Sequence, residues 1–325
     1  MNQFLNKYLK KPKLVEEAAQ AQQGQKLWLE IIIFIGVFMV SSMAMTPFIV
    51  VATIIGAIGL LIFNPQSASM LESGDPAAGV ELMDQVVGSE QYMVIALFAD
   101  IMMILIVILF AKLIQKRKIH TLGYTREGWL KEYFAGMAAG FVLFTAAIMI
   151  CVVTGALKIK GLSAHIPVVL IIMYFLGYLV QGMAEEVLCR GYFMVSVARR
   201  NSLFMAIIAN SLVFAALHLL NDGITVLAFV NLTLFGIFAS VYFIKRGNIW
   251  GVAALHSVWN FVQGNFYGIQ VSGMPLSSSV LSSEISEGSG WINGGSFGLE
   301  GGIAVTVCLV IGIVILLFCS QKNAA

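Results

Sequence analysis

Charge is what this chain has least of. Asp, Glu, Lys and Arg make up 11% of its 325 residues, against about 25% in soluble globular domains. With 59% hydrophobic residues beside that shortage, it cannot cover a water-facing surface, which excludes an ordinary soluble protein. No basic stripe is interleaved with aromatics, which excludes a nucleic-acid face. The long apolar runs do not alternate, which excludes a membrane β-barrel. Cysteine is scarce as well. Cys151, Cys189, Cys308 and Cys319 all lie in apolar runs, without a CxxC pair or a framework spacing, and read as small packing residues. No internal repeat and no separate soluble domain is visible.

What the chain does have is apolar runs at or above the roughly 18–20 residues that span a bilayer. The expected fold class is all-α, a polytopic membrane bundle of about eight helices. The spans fall near 28–63, 92–113, 133–157, 166–198, 203–220, 224–244, 249–267 and 302–319. The first is interrupted by Pro47 and is long enough for one kinked helix or a hairpin of two. Flanking charge favours one. With eight spans, the N-terminal tail, the 2–3, 4–5 and 6–7 connections and the C-terminal tail hold 16 of the 19 Lys and Arg. Lys158 and Lys160 lie opposite. The positive-inside rule then puts both termini in the cytosol.

Four regions follow: a cytosolic tail, 1–26; N-terminal helices with a polar extracytoplasmic loop at 64–91, within 27–119; a core, 120–267; and a polar loop with the last helix, 268–325. The tail reads as helix-favouring over 16–26 but without an apolar face, and not as a cleavable signal. The expected location is the cell membrane, multi-pass.

Inside these apolar spans sit polar groups that cost several kcal/mol each at membrane depth. Asp100, Glu185, Glu186, Arg190, Asn210, His218, Asn231, His256 and Asn260 are the set. Glu186 and Arg190 are four apart and share a helix face, so they are expected to pair. Glu185 lies about 100° round the helix and is expected to face elsewhere. Helical rise puts Glu185 roughly 21 Å from Arg199, His218 roughly 22 Å from Leu203, and Asn260 roughly 21 Å from Arg246. Three helices thus bring polar groups to one layer. Asn210, Asn231 and Asn265 read as helix-packing amides, Phe214 as packing, and Asp100 as a carboxyl facing the bundle.

The chemistry that fits this layer is peptide hydrolysis. A carboxylate and a histidine can deprotonate a water, and a second histidine and an amide can donate to an oxyanion. Glu185, His218, His256 and Asn260 supply one each.

These residues also carry a resemblance. EEVLCR (185–190) matches an EExxxR motif, FAALH (214–218) an FxxxH motif and HSVWN (256–260) an HxxxN motif. In this order they resemble the CAAX-protease and bacteriocin-processing family of intramembrane endopeptidases, also called CPBP or Abi. Residues 122–136, LGYTREGWLKEYFAG, look like that family's amphipathic approach to its core. The resemblance covers about 120–267. It implies that Glu185 and His218 activate water, that His256 and Asn260 form an oxyanion hole, and that Glu186 and Arg190 are a supporting ion pair. The implied substrate is a membrane-associated peptide or protein, met in the lipid bilayer, with no nucleic acid involved.

No cofactor is expected. The alternative is zinc on Glu185, His218 and His256, since three protein ligands and a water make a catalytic zinc site, although HExxH is absent. The serine and paired-aspartate signatures of other intramembrane proteases, GxSG and GxGD, are absent too. Two readings from other classes compete. A proton-coupled transporter predicts an inverted repeat. A non-catalytic immunity or scaffold protein predicts that Glu185→Gln keeps full function.

Overall fold

The computed structural model describes residues 8–72, 76–274 and 276–322, and the chain is mostly helical. The N-terminal lysine Lys7 and the last three residues lie outside that set. Among the described residues twelve helices follow one another. They begin with α1 (Lys13–Ala21), α2 (Leu27–Phe63), α3 (Pro65–Glu72) and α4 (Pro76–Val87). Next come α5 (Glu90–Leu113) and α6 (Trp129–Val153), then strand β1 (Leu157–Leu162). The motif-bearing helices are α7 (Val168–Ala198), α8 (Leu203–Ala216), α9 (Val226–Arg246) and α10 (Trp250–Phe261). Strand β2 (Leu281–Ile285), α11 (Gly290–Asn293) and α12 (Ile303–Phe318) complete the chain.

Five of these, α2, α5, α6, α7 and α9, are long and apolar enough to cross a membrane, while α8 and α12 are shorter apolar helices. Helix α10 continues through a π-helical turn, Val262–Phe266. The first apolar run is one helix of 37 residues with Pro47 inside it. Its hydroxyls return to carbonyls four residues back: Ser41 to Val37 at 2.8 Å and Ser42 to Phe38 at 3.0 Å. This is how polar side chains are satisfied in an apolar helix.

Several expectations are corrected. The tail is not without an apolar face, because α1 buries Leu14, Val15 and Ala18 against the bundle. Leu14 and Val15 precede the polar stretch that suggested otherwise. The 64–91 loop is itself helical, as α3 and α4. The lysine-bearing connection after α6 is strand β1, paired antiparallel with β2 in the register Leu157–Ile285 and Lys158–Glu284. Lys160 adds an ion pair to Glu284. Helix α8 ends at Ala216, so His218 stands in the turn beyond it. Helix α5 is interrupted at Asp100, a turn residue between Ala99 and Ile101.

The 268–301 segment is folded rather than loose. Phe297 and Leu299 are fully buried. The Glu300 carboxylate accepts from Trp259 Nε1 at 3.0 Å and from Ser272 Oγ at 2.5 Å. Asn231 donates to the carbonyls of Glu300 at 2.7 Å and Gly302 at 2.8 Å. The segment therefore ties down α9 and α10 at the end of the bundle opposite the basic face.

The centre of the bundle is α10, packed on α6 and α7. Small residues allow that approach. Gly140 faces the Leu255 carbonyl, and a methyl added there would lie 2.4 Å from its oxygen. Close helix contact through small residues is the usual association mode in a bilayer, where hydrophobic burial drives nothing.

Candidate active site

Helix α7 brings the carboxylates in. It is α-helical to Glu186 and π-helical over Val187–Met194. π-Helical turns shift the carbonyl ladder and leave carbonyls to be bonded by other groups, frequently at functional sites. Arg117, fully inside the protein, meets that need. It donates to the carbonyls of Gly191 at 2.9 Å and Tyr192 at 3.4 Å, and to Gln115, Thr121 and Ser196 besides. The irregular turn is thereby fixed from the neighbouring connection.

The expected ion pair is present. Arg190 Nη1 donates to Glu186 Oε1 at 2.9 Å, with both side chains wholly buried. Glu186 is also shared. His256 Nδ1, from α10, lies 2.9 Å from the same oxygen. The other ring nitrogen, His256 Nε2, lies 3.8 Å from Glu185 Oε2. One imidazole thus spans both carboxylates. Glu185 does face another way, and its side chain keeps 23% of its exposure.

Glu185 is not without a partner. Gln181 Nε2 donates to Glu185 Oε1 at 2.5 Å, and Gln181 Oε1 accepts from Asn260 Nδ2 at 3.0 Å. A single amide connects the EExxxR and HxxxN motifs. Gln181 is absent from the expected site, although a signal existed: it is four residues before Glu185, on the same helix face. Arg117 had no such signal, because in the sequence it is one basic residue among several in a connection.

His218 arrives by a different route. Its Nδ1 is 2.9 Å from the Phe214 carbonyl, which can only accept, so Nδ1 carries a proton and, in the neutral ring, Nε2 is the acceptor. The Phe214 ring lies 4.9 Å from the His218 ring and 6.0 Å from the His256 ring, and Arg190 stacks on it at 4.6 Å. No direct bond joins His218 to Glu185 among the described residues. Phe214 is the packing centre around which the three motifs assemble.

Asn210 bonds Ser240 across α8 and α9 as a helix-packing amide, whereas Asn231 and Asn265 instead bond carbonyls of the segment after α10, at Glu300 and Gly302 and at Ser278. Asp100 lies within electrostatic reach of Glu185. Glu186 Oε2, Arg190 Nε and Arg190 Nη2 are buried without a partner among the described residues. Such atoms are few in a folded protein and need a reason when they occur. No three His, Cys, Asp or Glu side chains among the described residues converge as metal ligands. Of the zinc donor set, Glu185 and His256 lie 3.8 Å apart; no zinc step is derived.

Fold and site together define a polytopic helical membrane protein with a carboxylate–histidine–amide cluster inside its bundle. The family model described as Rce1-like, type II CAAX prenyl endopeptidase, matches residues 167–262, from the start of α7 to the end of α10. All three motifs lie in that segment, and the match agrees with the CPBP resemblance. At the family level this supports a CAAX-type intramembrane endopeptidase. No curated protein and no solved structure gives a significant match.

Proposed function

We propose that the chain hydrolyses a peptide bond in a membrane-associated peptide or protein, by a metal-free mechanism centred on Glu185. The observation that carries this reading is the single network of Glu185, Gln181, Asn260, His256 and Glu186, drawn from two motifs on two helices.

Water is held between the Glu185 carboxylate and His218 Nε2. Its oxygen attacks the scissile carbonyl as its proton passes to Glu185. The carbonyl π electrons move to oxygen, and the oxyanion receives hydrogen bonds from His256 Nε2–H and the second N–H of Asn260. Donation from both ring nitrogens needs the doubly protonated form of His256, which faces the Glu186 carboxylate through Nδ1, a carboxylate it shares with Arg190. The tetrahedral intermediate collapses as the C–N bond breaks. Glu185 returns its proton to the leaving nitrogen, giving an amine end and a carboxylic acid end, and the acid then ionises by losing its proton to water.

The test is a proteomic comparison of membranes carrying wild type, Glu185→Ala or Glu185→Gln. Uncut membrane-associated peptides should accumulate with both variants, while the protein still inserts at wild-type level. Unchanged peptide profiles with full biological function would overturn the protease reading.

A further inference from the structure

The end of the bundle that the positive-inside rule places in the cytosol holds a cavity of about 1410 Å³. Its walls come from α1, the end of α5, the connection into α6 and the turn between α9 and α10. Nine Lys and Arg line it against three Glu. Arg246 and Lys322 are engaged, both by Glu132, at 2.7 and 2.6 Å. Arg117 is engaged too, with its guanidinium bonded into the protein below. Six cations remain: Lys13, Lys112, Lys116, Lys118, Arg126 and Lys131. Among the described residues none of these six side chains makes an ion pair or a hydrogen bond within the cavity. Glu17, bonded to His120, lies within electrostatic reach of Lys13 and Lys118 only.

The positive-inside rule explains why cations collect on this side. It does not explain why six of them from three segments surround one concavity without partners. Like charges held together favour any anion that enters between them. The rim says which anion. Trp250 meets Tyr124 edge to face and Trp129 at a tilt, each at 5.3 Å between ring centroids, and Tyr133 edge to face at 6.5 Å. Trp250 Nε1 is anchored on the Thr125 carbonyl at 2.7 Å. Trp and Tyr clusters of this kind sit at headgroup level, and basic pockets between membrane helices on the cytosolic side suit anionic headgroups. We propose that this cavity binds the phosphate-bearing headgroup of an anionic phospholipid from the cytosolic leaflet.

The test uses the full chain in detergent micelles doped with brominated phosphatidylglycerol or brominated phosphatidylcholine, with tryptophan fluorescence as the readout. Brominated phosphatidylglycerol should quench preferentially, and Trp129→Phe with Trp250→Phe should remove the preference. The combined variant Lys112→Gln, Lys118→Gln, Lys131→Gln should also lose it. Each basic side chain contributes about fivefold at an anionic surface, so the loss is on the order of 100-fold in apparent affinity. These lysines are exposed and unbonded, and the variant should keep the wild-type melting temperature. The matching Lys→Arg variant should keep the preference. Equal quenching by the two lipids overturns the proposal, as does a preference that survives the Gln variant. Relief of quenching by millimolar inorganic phosphate would show a free-phosphate site and overturn the lipid as occupant.

Discussion

Gly182 is the position where one methyl group should separate geometry from stability. It lies in α7, three residues before Glu185, against the α10 residue that follows His256. A Cβ there would lie 2.4 Å from Ser257 Oγ, 2.8 Å from Ser257 N and 3.0 Å from its Cα. The hydroxyl can rotate away, but the backbone nitrogen cannot. Non-bonded contact needs about 3.5 Å, so the helices must part by roughly 0.7 Å. The same two helices carry the 2.9 Å contact between His256 and Glu186. Parting them takes that contact to about 3.6 Å, outside hydrogen-bonding range. Misplacement near 1 Å costs about 100-fold in rate. The fold itself should survive the substitution. Ala gains about 0.5–1 kcal/mol over Gly in a helix, and overpacking costs about 1–3 kcal/mol, leaving a loss of about 0–2.5 kcal/mol. The assay is cleavage of a peptide whose cutting is lost in Glu185→Ala, with thermal unfolding measured on the same samples. Gly182→Ala should cleave on the order of 100-fold more slowly while melting within a few degrees of wild type. Adding Ser257→Ala should not restore the rate, because the backbone contact remains. A rate within about twofold of wild type would refute the argument that the α7–α10 distance sets the site.

Two further outcomes follow from the same cluster. Gln181→Leu removes the amide that joins Glu185 to Asn260 and should lower kcat by roughly 10–100-fold, the range for losing an outer orienting partner, with KM little changed; an unaltered kcat in steady-state kinetics counts against a positioning role. Strong chelator, with metal content of the purified protein measured in parallel, should leave cleavage intact, and loss of activity restored by zinc would favour the zinc alternative instead.

Much of the candidate site was legible as a set of costly polar residues before any tertiary contact was known, and the reason is the bilayer. In a soluble chain Glu185, His218 and His256 would be three polar residues among scores. In a chain with 11% charge, polar groups at membrane depth are expensive enough that each stands out. The i,i+4 relation of Glu186 to Arg190 is local geometry, and the pair forms at 2.9 Å. The tail and the loops were read less well. Helix α1 is held by three buried side chains in a region whose local pattern is mostly polar. The 268–301 segment, rich in Gly and Ser, carries no periodic signal at all.

The sequence by itself determined the class and the motif residues, because hydropathy and helical spacing are properties of neighbours along the chain, but of the eight spans expected only five helices are long and apolar enough to cross a membrane. Only the tertiary structure decided what those residues touch. Gln181 meets Asn260 across 79 positions, His256 meets Glu186 across 70, and Arg117 meets the Gly191 carbonyl across 74. Contacts over such distances depend on how closely helices approach, which glycines such as Gly182 and Gly140 permit. No local pattern encodes that distance, since it is set by the packing of one helix surface on another.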